Sequence, residues 1–433
     1  MPENFIKMQR NLRYACFFLL VFLGSAVHPA FASSLRSLSI QECYRLAREN
    51  YPLIRQLDLI EKTKQYSLEN ASKGNWPQLS VSGQATYQSE VTQFPFSLPG
   101  ADVPVISKDQ YRIYGELVQP LTHIRTTQHQ KELIRETNKV EQQKLETELY
   151  RLRERIDELF FAVLLIDAQL RQNELLQKDI QAGFDKTNAA IANKAALKSS
   201  ADMLQAELLK VKQNRIELSS GRAAFLSMLA LLTNQTIDSN TILERPESVT
   251  KVSEITRPEL RLYDLQQQTI QAQNELLTDK NIPQLSLFFQ GGYGRPALNF
   301  LNNDFKTYYI TGLRLNWNFS GLYTLHKERD LLHLNQESVK LQKDVFLLNT
   351  HINLSRQDAE MEKYKELIRT DHEIISLREN VKKTAATQLE YGTITALDFL
   401  NYVNAEDQAR QSMALHEIKL LSAQYSYQTI TGN

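Results

Sequence analysis

A chain that repeats itself at long range folds as two copies of one unit, and this one does so. Trp76-Pro77-Gln78-Leu79-Ser80 returns as Ile282-Pro283-Gln284-Leu285-Ser286, each time after a helical pattern and before a segment of alternating character. Tyr111 to Leu121 then corresponds to Tyr308 to Phe319 as a second alternating segment, and a very long helical pattern follows each. Gln205-Ala206-Glu207 recurs as Asn404-Ala405-Glu406 in the last helix of each half. These matches divide the chain into a first repeat, 33–233, and a second, 256–433. Residues 234–255, with Pro246, form the connector.

Caps and breakers punctuate the helices. Ser39-Ile40-Gln41-Glu42 has the form of a capping box, and Thr256-Arg257-Pro258-Glu259 is expected to open the second half in the same way. Pro52 is expected to end the first helix near Tyr51, and Pro77 and Pro283 to end the helices that lead into the alternating segments. Leu145, Leu149, Leu152, Ile156, Leu159, Val163, Ile166 and Leu170 alternate steps of four and three, the seam of a coiled coil. Leu331, Leu334, Ser338, Leu341, Val345, Leu348 and Ile352 repeat it with one polar interruption. A single helix from Thr122 to Ala192 would reach on the order of 100 Å at about 1.5 Å per residue, a rod rather than a globule.

The alternating segments, at about 78–88, 110–120, 284–293 and 306–319, have period two. Leu79, Val81, Gly83, Ala85 and Tyr87 share one face, against Gln78, Ser80, Ser82, Gln84 and Thr86 on the other. Tyr309, Thr311, Leu313, Leu315, Trp317 and Phe319 likewise oppose Gly312, Arg314, Asn316 and Asn318. Each segment has the length and lipid-out, water-in pattern of a transmembrane strand. Trp76 and Trp317 fall at the ends joined to helices, and Tyr87, Tyr111, Tyr293 and Tyr309 at the opposite ends, giving two aromatic girdles. A water-soluble sheet with one buried face has the same periodicity. Four strands are too few to close a barrel in lipid, so the membrane reading requires several copies to share one.

The N-terminus reads as an export signal, 1–32. Lys7, Arg10 and Arg13 precede the apolar stretch Cys16 to Val27, and Ala30-Phe31-Ala32 supplies the small residues of a cleavage site. Cys16 lies within the discarded stretch, which leaves Cys43 as a lone buried thiol. No uninterrupted apolar run long enough to cross a bilayer as a helix is expected in the mature chain. Basic and acidic residues number 50 each, which removes the field that nonspecific nucleic-acid binding needs.

With two repeated halves, each of paired strands and long helices, the mature chain resembles the TolC-like outer-membrane efflux proteins over essentially its whole length. Ser39 to Pro52 is similar to the family's N-terminal helix and its Asn-Pro turn, with Asn50-Tyr51-Pro52 an insertion-like variant of that dipeptide. Asn318-Phe319-Ser320-Gly321 resembles the step after the last strand, and Tyr391-Gly392-Thr393 through Leu400 the second-half helix-hairpin tip. The resemblance implies a mainly α fold: a coiled-coil α-helical barrel continuous with an outer-membrane β-barrel, to which each subunit of a homotrimer gives four strands. It also implies docking to a periplasmic adaptor and an inner-membrane transporter. The family's acidic aperture ring falls on Asp398 and on Asn401, a departure from the acidic pattern, with Asp202 near the first-half tip. Both aspartates are equally well placed as helix N-terminal charges. The adaptor groove falls on Gly392 and Thr393, with Ala196 and Leu197 as first-half counterparts.

No catalytic constellation or cofactor motif is present. His123 and His129 face different sides of a helix, and His326 and His333 have no third ligand nearby. Gly291-Gly292-Tyr293-Gly294 stands at a strand-to-loop boundary, the wrong context for a phosphate cradle. A passive duct for small-molecule efflux is the leading reading. The exit duct of a type I protein-secretion system and a soluble periplasmic coiled-coil scaffold are the alternatives.

Overall fold

The computed structural model describes residues 37–92, 106–238 and 240–433. The expected export signal, with Cys16, lies outside the described residues, as does the middle of the loop between the first two alternating segments. In chain order the elements are β1 (Ser37–Leu38), α1 (Ile40–Asn50), a 3-10 turn (Pro52–Arg55), α2 (Gln56–Lys73), β2 (Gln78–Tyr87), β3 (Asp109–Pro120), α3 (His123–Tyr150), α4 (Leu152–Ala192), α5 (Lys198–Thr233), β4 (Ile242–Leu243), α6 (Pro258–Asp279), β5 (Gln284–Arg295), β6 (Lys306–Asn316), α7 (Gly321–Glu390) and α8 (Ala396–Thr431).

Local chemistry explains the boundaries. Ser39 Oγ accepts the Glu42 amide at 3.3 Å to start α1, and Tyr51-Pro52 stops it. The expected cap at Thr256 is not the one used. Arg257 is the N-cap of α6 and its guanidinium grips Glu259 at 2.5 Å, while the Thr256 amide donates to the Thr431 carbonyl. The long helix expected from Thr122 to Ala192 is interrupted at Arg151, whose amide is shared between the Leu149 and Thr147 carbonyls. By contrast α7 runs unbroken for 70 residues, about 105 Å at 1.5 Å per residue.

The helices pair along their lengths: α7 with α8, α4 with α5, α3 with α6, and α4 with α8. The principal core lies where α1 crosses α4, α5 and α8, and is built on Ile40, Ile156, Phe160, Val163 and Leu229, all essentially inaccessible. Cys43 is buried in it, and burial pushes its thiol up to about 12. Parallel pairing of Ser37 with Ile242 and of Leu38 with Leu243 ties the segment before α1 to the segment after α5. The first-half heptad seam is buried at Leu145, Leu149, Leu152, Ile156 and Val163. Its second-half equivalent is not: Leu331, Leu334, Leu341, Val345, Leu348 and Ile352 are each 56–63% exposed.

One described helix, α5, is long and apolar enough to cross a bilayer, contrary to the expectation that none would be. Leu226 and Leu229 of this helix are buried in the principal core and Arg222 pairs with Asp167 on α4 at 2.5 Å, while Leu231 is 82% exposed.

The strands form one antiparallel sheet in the order β2-β3-β5-β6. β5 runs to Arg295, beyond the expected end, and β6 stops at Asn316, so Trp317 and Phe319 belong to the turn into α7. A second short sheet holds only β1 and β4.

Candidate functional site

Register determines which side chains share a face of the sheet. Leu79, Leu117, Phe289 and Thr311 form one row across the four strands, and Val81, Gly115, Gly291 and Tyr309 the next. Ile113 and Tyr293, Leu285 and Leu315, and Leu287 and Leu313 pair on the same side. Nothing among the described residues covers this face: Leu79 is 76%, Val81 73%, Leu313 66% and Leu315 66% exposed. A water-soluble sheet buries such a face, and this one presents it as a contiguous apolar surface. The polar face carries Gln78, Ser80, Ser82 and Gln84 on β2, Arg112 and Glu116 on β3, and Lys306 and Arg314 on β6.

The aromatic residues singled out from sequence divide between the two ends of the sheet, with the exception of Tyr309. Trp76 and Trp317 are exposed at the helical end of the sheet, and the Trp317 indole donates to the Asn281 carbonyl at 3.1 Å. Tyr87, Tyr111 and Tyr293 are exposed at the loop end, where Tyr111 and Tyr293 pack on Phe305. Tyr309 stands further in, opposite Gly291, with its ring stacked on Phe289.

At the far ends of the helices the two turns have matching backbones. Lys194 and Gly392 are each the second residue of the turn and both have positive φ, 55° and 68°. Ala195 and Thr393 then donate back to Ala190 and Gln388 at 2.8 and 2.9 Å. The position matching Gly392 is therefore Lys194 and not the expected Ala196, because the left-handed turn residue sets the correspondence. Ala196 is half-buried, and Leu197, the N-cap of α5, is 74% exposed.

Thr395 and Asp398 form a complete capping box on α8. Thr395 Oγ1 accepts the Asp398 amide at 3.1 Å, and Asp398 Oδ2 accepts the Thr395 amide at 3.1 Å. Hydrogen bonds from the Thr395 side chain and backbone hold the Asp398 carboxyl below its ordinary value, so it is charged at neutral pH. The helix-start role weighed for Asp398 is thus occupied, and its carboxylate remains partly open to solvent. Asp202, Asn401, Gly392 and Thr393 are exposed around the same tip. Beneath them Phe399, Leu400 and Val403 of α8 pack with Ile180 of α4 and Leu204 of α5. Gly183 makes that packing possible, because a Cβ there would stand 2.4 Å from Phe399 Cε1.

Sequence reasoning passed over a charge cluster built around the buried Glu406 above this tip. Lys382 on α7 reaches Asp179 on α4 at 2.8 Å and Glu406 on α8 at 3.2 Å. Arg410 holds Glu406 from the other side and reaches Glu379 at 3.3 Å. Burial works against the Lys382 charge, but Asp179 and Glu406 together outweigh it and raise its pKa. Asp407, next along, accepts from Gln172 at 3.0 Å and Gln411 at 2.6 Å, and burial raises its pKa. The spacing of Glu406 and Arg410 was readable as a helix pair, whereas their partners on α4 and α7 lie too far away in sequence to suggest the cluster.

Near the principal core, Asp157 of α4 accepts from the Tyr44 hydroxyl and, at 3.1 Å, from the Thr429 hydroxyl. Burial pushes its pKa up to about 7. His129 pairs with Asp279 at 2.6 Å, with Arg125 on the same carboxylate, and His416 pairs with Asp371 at 2.6 Å. These are histidine–carboxylate pairs joining helices; among the described residues no group of three His, Cys, Asp or Glu is placed to hold a metal.

No family model and no curated protein matches the chain. Solved structures do. The outer membrane protein VceC from Vibrio cholerae superposes with a TM-score of 0.65 at 12% identity, covering 91% of this chain and 96% of that one. The CmeC outer membrane channel of Campylobacter jejuni gives 0.64 at 10% identity, covering 91% and 85%. The open state of the MtrE outer membrane channel of Neisseria gonorrhoeae gives 0.57 at 13% identity, covering 91% and 89%. The likeness covers 91% of the chain in each case, and the fold is that of outer-membrane channel proteins.

Proposed function

We propose that the chain is one subunit of a TolC-like outer-membrane channel-tunnel, the passive exit duct of a tripartite efflux system carrying small molecules outward. The observation that carries this reading is the uncovered apolar face of the sheet, joined to helices of about 100 Å and found in a fold shared with outer-membrane channels. An apolar face of this extent is favourable against lipid and costly in water. This counts against the soluble-scaffold reading. β2 and β6 each have one neighbour in the sheet, so both outer edges carry unpaired backbone groups that lipid cannot satisfy. The same strands from further copies close the barrel, and the exposed seam of α7 supplies the helical part of the contact between copies. A homotrimer, with the two-repeat subunit giving four strands to the barrel, satisfies both demands.

In this arrangement the tip around Asp398, Asn401 and Asp202 forms the periplasmic aperture, and the turns at Gly392, Thr393, Lys194, Ala196 and Leu197 face the periplasmic adaptor that links the duct to an inner-membrane transporter. The duct itself has no catalytic role. Planar-bilayer conductance of the detergent-purified protein, with its mass in detergent, tests the reading. Small, stable current steps from a trimer are expected, and a monomer that stays soluble without detergent and forms no channel would overturn it. Asp398→Ala is expected to change single-channel current, and unchanged currents would remove Asp398 from the aperture.

A further inference from the structure

Charge on the polar face of the sheet is unevenly distributed along the strands. Glu116 and Arg314 pair at 2.5 Å towards the helical end, and the Arg314 guanidinium also lies 4.5 Å from the centre of the Phe288 ring. The other two charged strand residues on that face, Arg112 and Lys306, are both cationic and exposed, and neither has an ion-pair partner among the described residues. They belong to one row: Arg112 of β3 is in register with Gly294 of β5, and Gly294 with Lys306 of β6. The next row inward is Tyr114, Gly292 and Tyr308.

The two glycines belong to the same construction. A Cβ at Gly294 would stand 2.7 Å from the Tyr111 carbonyl and 3.0 Å from Arg112 Cβ, and one at Gly292 would stand 2.8 Å from Tyr308 Cζ. Bare backbone therefore lies between the two cations, with the Tyr308 ring across Gly292 just inside. Two strand spacings separate the Arg112 and Lys306 backbones by roughly 10 Å, about a Debye length at physiological salt, so each cation feels the other. With no carboxylate between them among the described residues, a mobile anion relieves that repulsion.

We propose that Arg112 and Lys306 form an anion-attracting collar at the loop end of the pore. With Tyr114 and Tyr308 beneath them, they favour small organic anions that carry an aromatic body. The proposal rests on the duct reading, which turns this face towards the pore and repeats the row in every subunit. A ring of like cations at the mouth of a pore raises the local concentration of anions. Tyrosine faces hold the apolar part of the solute.

The test uses single-channel recordings of the full-length protein, with naphthalene trisulfonate as the probe added to one chamber at a time. In the unaltered channel the probe is expected to reduce current more strongly from the loop side. Arg112→Gln with Lys306→Gln is expected to weaken that block by roughly tenfold and to move the zero-current potential in a salt gradient towards cation preference. Arg112→Lys with Lys306→Arg is expected to retain both properties. Conducting channels whose block and selectivity are the same with and without the glutamines would overturn the collar alone. No conductance from any of the proteins would overturn the duct reading and the collar with it.

Discussion

Asp157→Asn isolates the effect of one buried carboxyl on the joint between α1, α4 and α8. Asp157 is 6% exposed and receives Tyr44 from α1 and Thr429 from α8. Burial raises its pKa from 3.8 to about 7, with a small push from Glu154, against the two hydroxyl hydrogen bonds and the nearby Arg153. A carboxyl whose folded pKa lies above its unfolded one binds its proton more tightly when folded. Its stabilising contribution is complete below about pH 3.8 and is lost as pH rises through about 7. The interval from 3.8 to about 7, at about 1.4 kcal/mol per pH unit, makes this on the order of 4 kcal/mol per chain. Asparagine keeps the shape and does not titrate. In thermal unfolding followed by circular dichroism in detergent, the apparent midpoint of the native protein is expected to fall relative to Asp157→Asn between pH 5 and 8.5. Other titrating groups, Asp407 included, are common to both proteins and cancel in the comparison. Parallel pH profiles for the two proteins would refute the argument.

Three further changes test other parts of the structure. Gly183→Ala sets a Cβ against Phe399 and is expected to cost about 1–3 kcal/mol in thermal unfolding, with part of the loss recovered by Phe399→Leu; a neutral single change would disprove the tip packing. Lys194→Gly removes a side chain from a left-handed turn position and is expected to stabilise by about 1 kcal/mol, while Gly392→Ala, which meets no atom within 4 Å, is expected to lose a similar amount through backbone strain alone. Leu313→Arg puts a charge on the apolar face and is expected to cost about 2–4 kcal/mol in lipid and to reduce recovery in vesicle flotation; insertion at the native level would show that this face does not meet lipid.

Periodicity made the strands and helices legible because it is a local property that assembly then uses directly. The alternation from Leu79 to Tyr87 and from Tyr309 to Leu315 appears intact as a sheet face. Tyr51-Pro52 ended its helix as a breaker should. Boundaries were less legible where a competing partner took over. Arg257 stands at the cap position instead of Thr256 and makes no side-chain cap hydrogen bond, because Pro258 opens the helix as its first residue. The break at Arg151 falls between two seam residues, Leu149 and Leu152, whose spacing is the same in a continuous helix. The cluster of Asp179, Lys382, Glu406 and Arg410 was hidden because its members come from three helices. The turn at Lys194 was not legible because a lysine at the left-handed position, unlike Gly392 in the second half, leaves no sequence signal of where the turn residue stands.

The unpaired edges of the sheet also bear on biogenesis and inheritance. Under the shared-barrel reading a single chain entering hydrocarbon would carry two rows of naked amides and carbonyls with it, so copies must meet before or during insertion. The appearance of inserted protein should then follow a steep, higher-than-first-order dependence on chain concentration. A copy with a damaged β2 or β6 edge would spoil not only itself but every complex that recruits it. Such an allele is expected to behave as dominant over an intact one.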